Sequence, residues 1–501
     1  MKGKKRYPIL KRLNNRRGSL LLISYLVIVV LIGLSAAFVM YAASEMRISE
    51  RQRLETMTFY IAESGLQRAI YDLKQDYAST GSWSDGNIGS FNIGPNTGVF
   101  YSVPYSGTTL NGGQYSVLLK NTSSPDEIWI RSTAVLNGIV ITVQIYVSMS
   151  SSSPWDYVIF AGEGQSGAMI NGTVDIAGSV VVLGSGLNPT DLAANLGGTA
   201  QFVQNNYTGL SAALQAKIPA LPTTVFNGET VSTLNAELRV KTGVVALSGS
   251  AGVGNTDVSG NSIKETVDAV YVTDGWGGNQ GASNVYSDNG TANAYDLGDS
   301  MTFPSLSDPD PSNPSLTVQQ KFQSEALVLT NELNDIKPNS VFSYTDGTNS
   351  ISMDGSGSLT IAGKIYIDGD NALNFNKVGG NTTITYSGIG TVLVTGTAEV
   401  NASLVTSGNV SFPINCFGIM TPNTIGFYEA QTAAMGAFYA EDTITITKQT
   451  DVIGSIVSNY FNMGTNVPSI YQVPDLSANL PPGMIAGSSG VTLNVVLWQE
   501  F

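Results

Sequence analysis

Residues 19–43 contain no charged side chain, while residues 1–17 carry eight lysines and arginines and no acidic residue. As a helix rising about 1.5 Å per residue, that uncharged run spans roughly 37 Å, enough to cross a hydrocarbon core of about 30 Å with some tilt. Fourteen of its residues are Leu, Ile, Val or Phe, which together favour insertion by roughly 4–8 kcal/mol. A secretory signal peptide has a shorter apolar region, about 7–15 residues, and no small-x-small cleavage site cleanly follows here. The basic flank stays in the cytoplasm by the positive-inside rule and sends the C-terminal region outward. The expectation is a single-pass anchor in a lipid bilayer.

The helix is expected to continue past the membrane, over residues 19–80. Between Glu45 and Tyr77 there is no Pro, and Gly65 is the only Gly. Phe59, Ala62, Leu66, Ala69, Ile70, Leu73 and Tyr77 recur at three- and four-residue steps, which predicts one apolar stripe. Gly81, flanked by Ser79, Thr80 and Ser82, supplies the stop.

Charge and composition narrow the chemistry. The whole chain sums to −14 and the leader holds +8, so residues 18–501 carry −22. A body that acidic repels phosphate backbones, and no nucleic-acid partner is expected. There is no histidine, which removes Ser–His and Cys–His nucleophile pairs, His-ligated zinc and the usual neutral-pH base. The lone Cys416 has no disulfide partner within the chain and sits among apolar neighbours, as a small buried side chain.

Beyond the helix, short Val/Ile-rich runs separated by Gly, Asn, Ser and Thr predict a mainly β chain with one long N-terminal α-helix. Residues 114–120, 128–136 and 139–147 alternate, and Asn137-Gly138 between the last two is a strong hairpin signal. Ile128, Ile130, Ala134 and Leu136 share one face, as do Ile139, Ile141, Val143, Ile145 and Val147 on the partner. Such an antiparallel sheet over residues 81–150 has an apolar face on which the helix stripe can pack.

Residues 151–501 read as a head of many brief strands with Gly and Asn corners. Examples are 358–370, 382–386, 391–395, 398–400, 410–412, 437–439, 443–447 and 452–457. That pattern suits a right-handed parallel β-helix. No strict repeat period emerges, so a β-sandwich is the alternative. Helical insertions are expected near 190–220 and 316–336, and residues 221–312 are irregular.

Arg16-Arg17-Gly18 followed at once by the apolar run resembles the class III leader of type IV prepilins, and Phe59-Tyr-Ile-Ala-Glu-Ser-Gly-Leu66 is similar to the segment that marks PilX-type minor pilins. Softer matches follow in Asp156-Tyr-Val-Ile-Phe-Ala161, Ile170-Asn-Gly-Thr-Val-Asp-Ile-Ala-Gly178, Tyr471-Gln-Val-Pro-Asp475 and Leu480-Pro-Pro-Gly483. The resemblance implies that residues 1–18 form a leader, cut by prepilin peptidase between Gly18 and Ser19, with methylation of the new N-terminus. It implies a pilin-like helix-on-sheet, residence in the inner membrane and then in a pilus or at the cell surface, and other pilins as partners through the helix. Two departures matter: Ser19 stands where mature pilins begin with Phe, and Ile23 where the fifth mature residue is usually Glu. The missing Glu implies a minor pilin or pseudopilin placed at a tip, contributing to assembly or adhesion, rather than a repeating subunit. Gly33, Ser35, Ala36 and Ala37 are the candidate helix-packing positions.

Other candidate sites are weaker. Asp308-Pro-Asp310-Pro-Ser-Asn313 and Asp368-Gly-Asp370-Asn371 cluster hard oxygen ligands suited to calcium, yet neither matches a known loop spacing and both read first as turns. Gly275-Trp-Gly-Gly278 offers an aromatic loop for a carbohydrate or surface ligand of the head. No motif fixes a carboxylate pair, so no catalytic residue, metal or cofactor is expected and the chain is read as a non-enzyme. Two rival readings stay open: an uncleaved membrane-anchored adhesin or scaffold, and an anchored β-helix carbohydrate enzyme.

Overall fold

A computed structural model describes residues 16–80, 87–88, 91–92, 98–103, 106–122, 124, 127–290, 301–330, 332–369, 372–380, 382–464, 468–485 and 490–500. Most of the basic leader, the expected stop at Gly81, and Asp370-Asn371 lie outside the described residues. The chain is mainly β with one long N-terminal helix, as expected, and it divides into two compact units, 1–149 with 493–501 and 150–492.

In the first unit the helix Arg16–Thr80 runs for 65 residues. No Pro interrupts it, and its apolar half satisfies its own polar groups: the Ser24 hydroxyl donates to the Leu21 carbonyl at 2.9 Å. Its buried side is Thr58, Ile61, Ala62, Gly65, Leu66, Ala69 and Leu73. The expected stripe is therefore turned slightly: Phe59 and Ile70 are only half-buried, while Ile61 and Gly65 go under. The reason is a tight seat on the sheet. A methyl group on Gly65 would lie 2.5 Å from Ser132 Oγ, 2.8 Å from Tyr115 Cδ2 and 3.1 Å from Val117 Cγ2.

That sheet contains Gly113–Asn121, Glu127–Leu136 and Ile139–Ser152 as antiparallel neighbours. Asn137 and Gly138 take φ of 49° and 82°, the left-handed pair a two-residue hairpin with right-handed strand twist requires. Leu136 pairs with Ile139 across this turn. The alternation holds: Ile128, Ile130, Ser132, Ala134 and Leu136 are buried on one strand, Val143, Ile145 and Val147 on the next. The strand beside Ile139–Ser152 is Gly490–Glu500. The division expected at 150/151 is thus corrected at the far end: the chain leaves this sheet after Ile139–Ser152, builds the head, and returns with Gly490–Glu500 as the neighbouring strand.

In the head the principal pairings are parallel. One ladder stacks Leu327–Thr330, Ser358–Asp368, Thr383–Val394, Cys416–Thr421, Thr432–Ile446 and Thr450–Met463. Thr450–Met463 then pairs with Ile159–Gln165, from the start of the unit, and the ladder continues through Val180–Val182, Glu237–Val240 and Ala269–Val272. The last coils therefore stack on the first ones, in the middle of a single run. The closing segment locks this seam: Gln472 accepts from the Ser179 amide and donates to the Asp156 carbonyl, each at 2.7 Å. Trp155 Nε1 donates to the Ile485 carbonyl at 2.8 Å.

Such an order obliges the chain to travel back from Ala269–Val272 at one end to Leu327–Thr330 at the other. Part of the interval 221–312 is that return: Phe303 stacks on Phe160 and Tyr439, and the Tyr439 hydroxyl donates to the Pro304 carbonyl at 2.6 Å.

Long strands serve two neighbours in succession. Residues 383–386 pair with Ser403–Thr406 and residues 389–393 with Cys416–Thr421; between them Gly388 sits at φ 93°, where a Cβ would meet the Ile361 carbonyl oxygen at 2.1 Å. Only glycine allows that pivot. A second ladder joins Leu373–Asn376, Ala398–Asn401 and Ile425–Phe427, and Ile425–Phe427 pairs with the second half of Thr432–Ile446. This parallel stacking is unlike the antiparallel sandwich alternative.

Three sequence expectations are corrected. Within 190–220, Leu192–Gly197 and Gln201–Gln204 are strands, and only Ala212–Gln215 is helical; stacking of the Ala/Leu-rich stretch on Val244–Leu247 overrides its helix propensity. Within 316–336 the helix is Val318–Glu325, opened by a Thr317/Gln320 capping box, and the chain extends again at Leu327–Thr330. Residues 410–412 form no strand, because the Ser411 and Phe412 amides both donate to the Lys217 carbonyl.

Candidate functional site

The uncharged half of the long helix stands bare. Every residue from Leu20 to Glu50 is exposed, including Leu26, Ile28, Val30, Leu34 and Phe38. So continuous an exposed apolar surface is of the kind that lipid or other apolar helices would cover. The helix over Leu20–Asp76 contains an apolar run long enough to cross a membrane. Charge resumes just beyond, where Arg53 pairs with Glu50 at 2.6 Å and Arg51 with Glu55 at 2.9 Å. These exposed i,i+3 and i,i+4 pairs add little stability, and their main effect is polarity at the end of the apolar half.

Gly18 and Ser19 lie in the helical backbone of Arg16–Thr80; their side-chain surroundings fall outside the described residues. Gly33, Ser35, Ala36 and Ala37 are all exposed, and a Cβ on Gly33 would meet nothing within 4 Å. Positions 33, 36 and 37 share one side of the helix by their three- and four-residue spacing. They make a shallow notch in which a second helix backbone can approach closely. Ile23, 60% exposed, offers no carboxylate to a neighbouring amine.

Elsewhere the head's candidates resolve into local structure. Asp310 Oδ1 accepts from the Ser312 amide and hydroxyl and from the Asn313 amide; the Ser312 hydroxyl holds its carboxyl below the usual range. Asp308 accepts from the Ser305 amide at 2.9 Å. These are turn-stabilising bonds, and among the described residues no group of three His, Cys, Asp or Glu is placed to hold a metal. Trp276 is half-buried against the core, in a two-residue strand beside Val244–Leu247. Cys416 is fully buried in the ladder, and burial pushes its thiol pKa up.

The sequence reading missed one polar depression, on the outer face of the second ladder. It is lined by Lys337, Asn376, Lys377, Glu399, Asn401, Tyr428 and Glu429, with a volume near 420 Å³. Its trace in the sequence is a loose repeat, Leu-Asn-Phe-Asn376, Ala-Glu-Val-Asn401 and Ile-Gly-Phe-Tyr428, whose alternate residues face out.

No protein-family model matches the chain, and no curated protein matches it. Among solved structures, the fold is similar to the crystal structure of the competence-associated pilin ComZ from Thermus thermophilus, at 17% identity, covering 89% of this chain and 97% of that one with a TM-score of 0.50. At that identity the likeness is one of fold, and the fold of this chain is pilin-like, with an apolar N-terminal helix.

Proposed function

We propose that this chain is a structural minor pilin or pseudopilin, held in the inner membrane by its helix until it joins a filament. The observation that carries the reading is the division of one unbroken helix into a bare apolar half and a half seated on an antiparallel sheet. A lone domain has no use for an exposed apolar run over residues 20–43, whereas lipid first and neighbouring pilin helices later would each cover it. Support for the pilin pathway comes from Arg16-Arg17-Gly18 before the run and from the ComZ-like fold. In this reading prepilin peptidase cuts between Gly18 and Ser19, and the notch at Gly33, Ala36 and Ala37 packs against a partner. Ile23 in place of an acidic residue favours a single position at a tip over a repeating one. The head would then face outward as a cap, priming element or adhesive surface, with no catalytic role.

The test is the N-terminal peptide mass of the protein taken from its native membrane, with and without prepilin peptidase. A peptidase-dependent peptide beginning at Ser19 is the expected result. An intact leader under both conditions overturns the proposal and leaves an anchored surface protein.

A further inference from the structure

In the second ladder of the head, neighbouring strands bring outward side chains into register: Asn374 beside Glu399, Asn376 beside Asn401, and Glu399 beside Gly426. Two residues past Gly426, the Tyr428 side chain folds back over it. A methyl at Gly426 would lie 2.2–2.5 Å from Cε2, Cζ and the hydroxyl oxygen of Tyr428, so the missing Cβ is what lets the phenol rest there. The ring remains 39% exposed, beside the depression of about 420 Å³.

The polar groups around it are unequally used. Lys377 pairs with Glu429 at 2.7 Å, and Lys337 pairs with Asp335. Asn376 donates to Asp335 at 2.9 Å, and Asn401 donates to Glu399 Oε2 at 3.0 Å and to Asn376 at 3.3 Å. Asn401 Oδ1 is buried and has no hydrogen-bond partner among the described residues. Both lysines are matched by carboxylates, which leaves the charge of Glu399 uncompensated beside that acceptor.

We propose that this depression binds a neutral saccharide, with a sugar ring laid against Tyr428 and its hydroxyls donating to Glu399. The chemistry selects the class. A ligand here must present an apolar C–H face to an aromatic ring and several O–H donors beside it, and it must not be anionic. The volume suits one or two sugar rings. The site belongs to the head alone and does not rest on the filament assignment.

The experiment uses the full chain in a zwitterionic detergent without a sugar headgroup. Cellotriose, maltotriose, mannotriose and chitotriose are titrated by calorimetry and saturation-transfer NMR, beside trigalacturonate and spermidine. At least one neutral trisaccharide should bind at millimolar concentration. Tyr428→Ala should weaken that binding by about tenfold or more. Gly426→Ala, which touches no ligand but displaces the phenol, should weaken it too, while Tyr428→Phe should retain it. Unchanged melting of these variants separates lost binding from lost folding. Absence of binding by all four neutral sugars overturns the proposal. So does binding indifferent to Tyr428→Ala, or a preference for trigalacturonate or spermidine.

Discussion

Gly65 of the long helix lies directly over Ser132 of the strand Glu127–Leu136, so close that a methyl on Gly65 would stand 2.5 Å from the serine oxygen. Ser132 is itself buried, and its hydroxyl has no partner among the described residues. Gly65→Ala should therefore overpack the interface by about 1–3 kcal/mol, of which helix propensity returns about 0.5–1 kcal/mol. Combining it with Ser132→Gly should recover part of the loss, a coupling of about 0.5 kcal/mol or more. Chemical denaturation of the four proteins of this cycle in detergent measures it, and strict additivity would show that the two positions do not press on each other.

The C-terminal strand Gly490–Glu500 completes the pilin-like sheet, where Trp498 meets Phe59 of the helix edge-on at 6.1 Å. Ending the chain at residue 492 should lower the melting of the helix-and-sheet unit and leave that of the head unchanged. Trp498→Ala alone should cost about 0.5–1.5 kcal/mol. Differential scanning calorimetry separates the two transitions, and a loss confined to the head would contradict this topology.

Lys264 is only 4% exposed and is held between Asp268 and Asp288, with its ammonium 4.9 Å from the centre of the Phe226 ring. Burial alone would depress its pKa, but hydrogen bonds to Asp268 and Asp288 outweigh that and hold it above the ordinary lysine value. The stability it contributes is fully present below that ordinary value and is lost as pH rises beyond it. Lys264→Ala should leave two unbalanced, partly solvated carboxylates and destabilise the head by about 1–3 kcal/mol. Urea midpoints at neutral pH test the magnitude, and a change within error would mean that the aspartates find water instead.

Asp451 faces Ser469, which faces Asp175 on the next strand. Burial raises the pKa of both carboxyls. A raised acid pKa means that the folded state holds the proton more tightly, so stability is greatest below the ordinary carboxylate value. It falls as pH rises past that value and levels off above the raised one. Asp451→Asn removes the cost of desolvating the charge. Its melting temperature should exceed that of the parent at about pH 7.5 and converge with it at about pH 3.5. Equal melting at both values would show a solvated carboxylate.

Local order was easy to read from the residues. The helix needed only its three- and four-residue spacing and the lack of Pro, and the hairpin only Asn137-Gly138 between alternating runs. The exact buried side of the helix was not legible, because Gly65 carries no side chain to register in an apolar stripe and matters only through what it lets approach. The tyrosine depression was hidden for a related reason. Asn376, Asn401 and Tyr428 are brought together by register between strands, and nothing in any one strand announces it.

The sequence by itself determined a membrane-length helix, its amphipathic continuation, the first hairpin and a succession of brief strands in the head, since each depends on contacts between near neighbours along the chain. Tertiary structure alone decided how the head is wound. Leu373 pairs with Ala398, Ala398 with Ile425, Ile425 with Ile444 and Ile444 with Phe461, so successive rises take 25, 27, 19 and 17 residues. Parallel main-chain hydrogen bonds form equally well at any separation that the connections allow, and no repeat period survives in the residues. For the same reason only the folded chain could pair Thr450–Met463 with Ile159–Gln165 and return the last strand to the helix that began it.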